Sequence, residues 1–181
     1  MMGRYFMAID LNPQAKDSVQ EVTAPLKGQF PRTKWVGRDN YHITLVFLGE
    51  RDGSYLAKLT QVAGRLAAEQ APFSLDLQGW GFFPNSRRVR VMYIGTSQGA
   101  GFVSALAKSL LHWVGQGETA FHPHLTVARF RQPISIQAPV DFPPIALDVQ
   151  ELTLFSSTLT SAGPVYRTVD KFSLTGLARG E

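Results

Sequence analysis

Apolar positions recur along this chain in two periods, and the period changes from segment to segment. The stretch RYFMAIDL (4–11) is dense in β-prone residues and runs into Asn12-Pro13. An asparagine followed by proline is a helix N-cap with proline at the first helical position, which predicts a helix from there to about Gly28. YHITLVFLG (41–49) is a strongly β-prone run ending in glycine. In GSYLAKLTQVAGRLAAEQ (53–70), Leu56, Leu59, Val62, Ala63, Leu66 and Ala67 fall at helical spacing. FSLDLQGWGFF and RVRVMYIGT then read as strands separated by the turn PNSR.

The second half repeats the theme. Phe102, Val103, Leu106, Ala107 and Leu110 predict one apolar helical face in GFVSALAKSLLHWVG. A loop, GQGETAFHP, leads into the strand HLTVARF. QAPVDFPP is a proline-rich connector. ALDVQELTLFSSTL and VYRTVDKFSLTG read as closing strands, with SAGP as the hairpin turn between them. At most two main helices per half and seven or eight strands are expected. Several connections run directly from strand to strand, so the pattern predicts an α+β fold with antiparallel sheet rather than a doubly wound parallel one. No linker divides the chain, and 181 residues suit one domain or two small lobes sharing a core.

Composition narrows the chemistry. The chain has no cysteine, which excludes disulfides, thiolate-bound metals, iron–sulfur clusters and a thiolate nucleophile. Hydrophobic residues make up 44% and charged residues 18%, as in soluble globular proteins. The start, MMGRYFMAID, carries no long apolar region, and no segment is long enough to span a membrane, so a cytoplasmic protein is expected. A net charge of +4 is mild and suits a phosphate-bearing ligand. Arg87, Arg88 and Arg90 cluster in NSRRVRV, either as a solvated hairpin turn or as a nucleic-acid contact.

Candidate chemistry lies in a repeat. Two of the four histidines occur in His42-Ile43-Thr44-Leu45 and His124-Leu125-Thr126-Val127. In a strand, residues two apart share a face. Each histidine therefore shares a face with its threonine, while Ile43, Leu45, Leu125 and Val127 can pack behind. If two such strands lie side by side, two imidazoles and two hydroxyls meet in one groove. One imidazole can take a proton while the other gives one, and the hydroxyls can hold a phosphate in line. A cyclic phosphodiester suits that machinery, with no metal and no cofactor. Two alternatives stay open on spacing alone. His122, His124 and His42 could ligate a metal, although no Asp or Glu sits beside them, or the histidines could be structural.

The extended motifs HITLVFLG and PHLTVAR carry more information than His-x-Thr alone. With RYFMAIDL, WVGRDNYHITLVFLGE, FFPNSRRVRVMYIG and LTLFSSTLTSAGPVYRTV, they make nearly the whole chain resemble the 2H phosphoesterase superfamily. It is most similar to the bacterial and archaeal RNA 2',3'-cyclic phosphodiesterases, also named 2'-5' RNA ligases. The resemblance implies a single domain over 1–181 built from two intertwined, pseudo-symmetric lobes. Antiparallel sheets would line a central groove, with helices packed outside. It also implies metal-independent hydrolysis of RNA 2',3'-cyclic phosphate ends to 2'-phosphomonoesters. His42 would be the proton donor to O3', His124 the proton acceptor from water, and Thr44, Thr126 and Arg129 would bind substrate. The implied partner is RNA or a nucleotide with a cyclic phosphate end, and a monomer is expected. Cleavage or ligation of 2'-5' linkages, and RNA-end binding without turnover, are the competing functions.

Strand parity conflicts with part of that assignment. Arg129 lies five residues after His124, which in an ideal strand points it to the opposite face unless a bulge or the strand's end intervenes. Phe47 has the same relation to His42 and reads as a core residue in preference to one that stacks on a base. His122 reads as a loop residue beside the groove and His112 as structural. Where relatives often carry tryptophan after the arginine-bearing turn, this chain has Met92 or Tyr93.

Overall fold

The Asn12 side chain accepts a hydrogen bond from the Ala15 N–H at 2.8 Å, and with Pro13 it starts helix α1 (Pro13–Gln29) where the cap signal predicts it. The computed structural model describes residues 2–117, 120–161 and 163–177. Around α1 it builds β1 (Gly3–Asp10), β2 (Lys34–Trp35), a 3₁₀ turn (Arg38–Asn40), β3 (His42–Arg51), α2 (Gly53–Glu69), β4 (Phe73–Phe83) and β5 (Val89–Thr96). Then follow α3 (Ala100–Trp113), β6 (His124–Ile134), β7 (Ile145–Val149), β8 (Glu151–Thr160) and β9 (Gly163–Ser173). Glu118 and Thr119 of the predicted GQGETAFHP loop, and Ala162 of the predicted SAGP turn, lie outside the described residues.

All pairings are antiparallel, in the order β7-β4-β5-β6-β3-β1-β8-β9, with β2 added beside β6. The α+β class is as the pattern predicts, with three helices and nine strands among the described residues. Two strands add to the seven named from the sequence: β2, and one more because ALDVQELTLFSSTL is two strands rather than one. β7 pairs with β4 and β8 with β1, so the chain crosses from one end of the sheet to the other half through Gln150 alone. β2 is too short to leave a periodic signal.

Two units repeat. β1-α1-β3 and β5-α3-β6 each join neighbouring antiparallel strands through a helix. Their last strands, β3 and β6, meet at one register pair, Ile43 opposite Leu125. The halves β3-β1-β8-β9 and β6-β5-β4-β7 thus flank a central seam. The core lies behind the sheet: Met7, Ile9, Ile43, Leu45, Leu125 and Val127 pack against Val19 of α1, Leu59 of α2 and Leu110 of α3. β1 is apolar on both faces, because Phe6 and Ala8 join Phe155 in a second, smaller cluster on the front. On α3, Val103, Leu106, Ala107 and Leu110 are buried as the spacing predicts. Phe102 is instead exposed at the helix start, tilted against Phe73 of β4 at 5.0 Å.

One glycine is fixed by geometry. Gly99 precedes α3 with φ of 78°, and a Cβ there would lie 2.3 Å from the Ser74 carbonyl oxygen. Gly64, inside α2, has nothing within 4 Å of its Cβ position. Opposite signs are therefore expected. Gly99→Ala should destabilise by more than the roughly 1–2 kcal/mol of a left-handed residue, because the carbonyl must also move. Gly64→Ala should stabilise by about 0.5–1 kcal/mol by removing backbone entropy from the unfolded chain. Denaturant unfolding of the two variants checks this. A stable Gly99→Ala protein would mean that the β5–α3 connection is not built as described.

Candidate active site

His42 and His124 are the first residues of β3 and β6. The strands run antiparallel through Ile43–Leu125, so His42 lies across from Thr126, and Thr44 across from His124. Directly opposite residues have Cβ atoms about 4.5–5.5 Å apart, and diagonal ones about 7–8 Å. The two imidazoles occupy a diagonal of this square and the two hydroxyls the other. Burial runs identically over the first nine residues of each strand: histidine and threonine half-buried, the residues between them buried.

Local backbone orients each ring. Nδ1 of His42 is 2.7 Å from the Asn40 carbonyl oxygen, and Nδ1 of His124 is 2.7 Å from that of His122. A carbonyl only accepts, so Nδ1–H donates in both and Nε2 keeps its lone pair. The Thr44 hydroxyl lies 3.0 Å from Nε2 of His42 and donates to it. Asn40 is itself tied down, its side-chain N–H donating to the Pro164 carbonyl of β9 at 3.0 Å.

Bulges remove the parity conflict. Met7 pairs with Val46 and Ala8 with Thr44, so Leu45 is an extra residue in β3. Met92 pairs with Ala128 and Tyr93 with Thr126, so Val127 is extra in β6. Both bulges fall three residues after the histidine and return the fifth residue to the histidine's face. Arg129 is thereby exposed on the groove side, and its charge acts on both His42 and His124. Phe47, read as core, is 62% exposed and lies 6.1 Å from Phe6 on the same front face, because the bulge turned it outward.

Sequence reasoning did not identify the aromatic walls. Phe6 (4.9 Å between ring centroids), Tyr166 (5.3 Å) and Phe155 (6.2 Å) surround His42. Tyr93 and Phe83, both 5.1 Å away, flank His124. Met92 is fully buried and Tyr93 is the residue that faces the groove, its hydroxyl 3.2 Å from Nε2 of His122. Gly81 makes room for that ring, since a Cβ there would lie 2.1 Å from it. The available signal was the unbroken apolar run Phe6-Met7-Ala8-Ile9, which marks a strand covered on both faces. His122 lies beside the groove as its loop position implies. His112 is exposed on the last turn of α3.

Burial sets the charge state. It is the main cause pushing His42 down to about 4; Lys16 and Arg129 push the same way, against the Asn40 carbonyl bond and Asp10. His124 is also lowered, by burial first and then by His122 and Arg129, against its bond to the His122 carbonyl. Both rings are therefore neutral in the free groove at neutral pH. Asp10 sits directly across the ladder from His42, with its carboxylate 2.8 Å from the Lys16 ammonium; the matching place beside His124 is Gly95. Among the described residues, no group of three or more His, Asp or Glu is arranged to hold a metal ion. None of the described helices is long and apolar enough to cross a membrane.

Two Nε2 lone pairs, two hydroxyls and one cation on one face have the chemistry to hold a phosphate between two proton sites. Known proteins resemble this chain over most of its length. Residues 9–160 match the 2'-5' RNA ligase superfamily. The RNA 2',3'-cyclic phosphodiesterase of Thermus thermophilus is 34% identical over 184 residues, covering 96% of this chain and 91% of that protein. The one from Thermotoga maritima is 31% identical over 171 residues, covering 91% of each. The crystal structure of TT0787, also from Thermus thermophilus, superposes with a TM-score of 0.84 at 32% identity, covering 96% of this chain and 98% of that one. This chain belongs to the 2'-5' RNA ligase superfamily.

Proposed function

We propose that this chain is an RNA 2',3'-cyclic phosphodiesterase that hydrolyses the cyclic end to a 2'-phosphomonoester without a metal, through His42 and His124. The observation that carries the reading is the square of His42, Thr126, Thr44 and His124 across the Ile43–Leu125 pair. The activity is the one for which the relatives from Thermus thermophilus and Thermotoga maritima are named. The whole chain acts as one unit of two intertwined lobes, since the site needs a strand from each.

In this mechanism the cyclic phosphate sits between the imidazoles, held by the Thr44 and Thr126 hydroxyls and the Arg129 guanidinium. Neutral His124 takes a proton from water through Nε2. The water oxygen bonds to phosphorus as the bond to O3' breaks. Protonated His42 gives its Nε2 proton to O3', leaving a free 3'-hydroxyl and the phosphate on O2'. Exchange with solvent returns one proton to His42 and removes one from His124. The asymmetry of the groove supports this division. Among charged neighbours, Asp10 favours a charged His42 against Lys16 and Arg129, whereas His122 and Arg129 both disfavour charge on His124, opposed only by its bond to the His122 carbonyl. Burial acts against charge on His42, and the bound phosphate anion supplies the counter-charge that offsets it.

The direct test is incubation with a nucleoside 2',3'-cyclic phosphate in excess EDTA, with the product read by phosphorus NMR. Turnover to the 2'-phosphate is expected. A 3'-phosphate product would reverse the pose, and loss of activity restored by zinc or manganese would remove the metal-free mechanism.

Acid and base can be told apart by the leaving group. His42→Ala and His124→Ala should each lose about 10²–10⁴-fold on the cyclic nucleotide. On a p-nitrophenyl phosphodiester, whose leaving oxygen needs no proton, His42→Ala should regain most of its loss and His124→Ala should not. The reverse pattern would exchange the two roles.

The lowered histidines also predict a pH signature. kcat/KM reports the free groove and kcat the occupied one. A phosphate anion between the rings favours their charged forms, so the kcat profile should lie at higher pH than the kcat/KM profile. Arg129→Ala removes a cation that lowers both histidines, so it should move kcat/KM to higher pH while reducing it. Coincident profiles in the unsubstituted enzyme would mean that the phosphate does not bind between the imidazoles.

A further inference from the structure

A cavity lies beside the histidine groove rather than in it. It has a volume of about 910 Å³ and is bounded by the chain leaving α1, by β2 and by the far half of β6. Phe30, Phe130 and Ile134 supply apolar walls, with the Phe30 and Phe130 rings edge to face at 5.9 Å. Arg32, Lys34 and Arg131 stand at its exposed rim, and among the described residues no Asp or Glu lines it. None of these three cations makes an ion pair among the described residues. Arg90, from the basic turn singled out in the sequence, donates to the Arg131 carbonyl at 2.6 Å and extends the positive rim.

Position links this cavity to the chemistry. Lys34 of β2 pairs in register with Arg129 of β6, so the two project from one face of neighbouring strands. Arg131 is two residues beyond Arg129, on the same exposed face. Ser161, at the β8–β9 tip, closes the far side, and a Cβ on Gly163 would lie 3.6 Å from the Lys34 ammonium. The line from the two imidazoles through Arg129 to Lys34 and Arg131 is a continuous run of cations leaving the groove.

We infer that this cavity is a subsite for the RNA on the 5' side of the cyclic phosphate, holding the penultimate nucleotide. The inference rests on the proposed hydrolysis of cyclic RNA ends. A 2',3'-cyclic phosphate terminates its strand, so everything else in the substrate lies on the 5' side and leaves the groove in one direction. The next nucleotide brings one phosphate and one base. Unpaired cations at the rim suit the phosphate, and an apolar, aromatic-walled pocket suits a base face. The volume is within the range of about 300–1,000 Å³ found for small-ligand pockets. Stacking on apolar walls is open to every base, so the subsite selects for chain length rather than sequence.

The test compares two substrates, a nucleoside 2',3'-cyclic monophosphate and a trinucleotide ending in the same cyclic phosphate, for the unsubstituted enzyme and for Arg32→Ala, Lys34→Ala and Arg131→Ala. The trinucleotide should have the higher kcat/KM. In Lys34→Ala and Arg131→Ala it should fall roughly tenfold, as expected when one charge-assisted hydrogen bond to the phosphate is removed. The monophosphate should stay within about twofold, which also reports that the variants fold. The logarithmic salt slope for the trinucleotide should drop by about 0.7 for each phosphate that a variant no longer neutralises. If the unsubstituted enzyme turns over both substrates with equal efficiency and equal salt slopes, or the variants slow both substrates equally, the subsite is wrong while the cyclic phosphodiesterase reading stands. If neither substrate is turned over, that reading fails and the subsite with it.

Discussion

Everything in the groove depends on one antiparallel register, Ile43 opposite Leu125. The two strands that carry the histidines share a ladder pair only there, before the short β2 takes the place of β3 beside β6. With side-chain period two, that pair puts its own apolar members into the core and the residues on either side onto the front. A slip of one residue would bury the imidazoles and expose Ile43 and Leu125. The core therefore enforces the site: the same packing that stabilises the seam sets the distance between the proton-carrying groups.

The pseudo-symmetry is close in the backbone and broken in the side chains. Bulges at Leu45 and Val127 occupy equivalent positions, and each turns its fifth residue toward the groove. In one half that residue is Phe47 and in the other Arg129. Asp10 faces His42, where Gly95 faces His124. A fully symmetric groove would accept a phosphodiester in two equivalent poses. The paired differences, aromatic against cation and carboxylate against nothing, give the groove a direction.

Much of this was legible in the chain. The His-x-Thr repeat marked both strands, the alternation around each motif fixed which face they share, and the Asn12-Pro13 cap placed α1. Parity arithmetic on Arg129 flagged a bulge or a strand end without saying which, or where. What stayed hidden depends on non-local pairing. Phe47 looked like a core residue because a bulge leaves no trace in a run of apolar residues. The aromatic walls come from β1, β4, β5, β8 and β9, brought together only by the sheet order. The split of β7 from β8 was invisible because Gln150 is neither glycine nor proline, and the break is set by the change of pairing partner from β4 to β1.

The partner of each Nδ1 is a main-chain carbonyl two residues upstream. No point substitution can delete a peptide oxygen. In sites where a carboxylate orients the imidazole, one mutation alters both the tautomer and the electrostatics. In this groove the two properties are separately heritable. Side chains such as Asp10, His122 and Arg129 can drift and retune how tightly each ring holds a proton. Which nitrogen faces the substrate is written into the backbone and survives that drift.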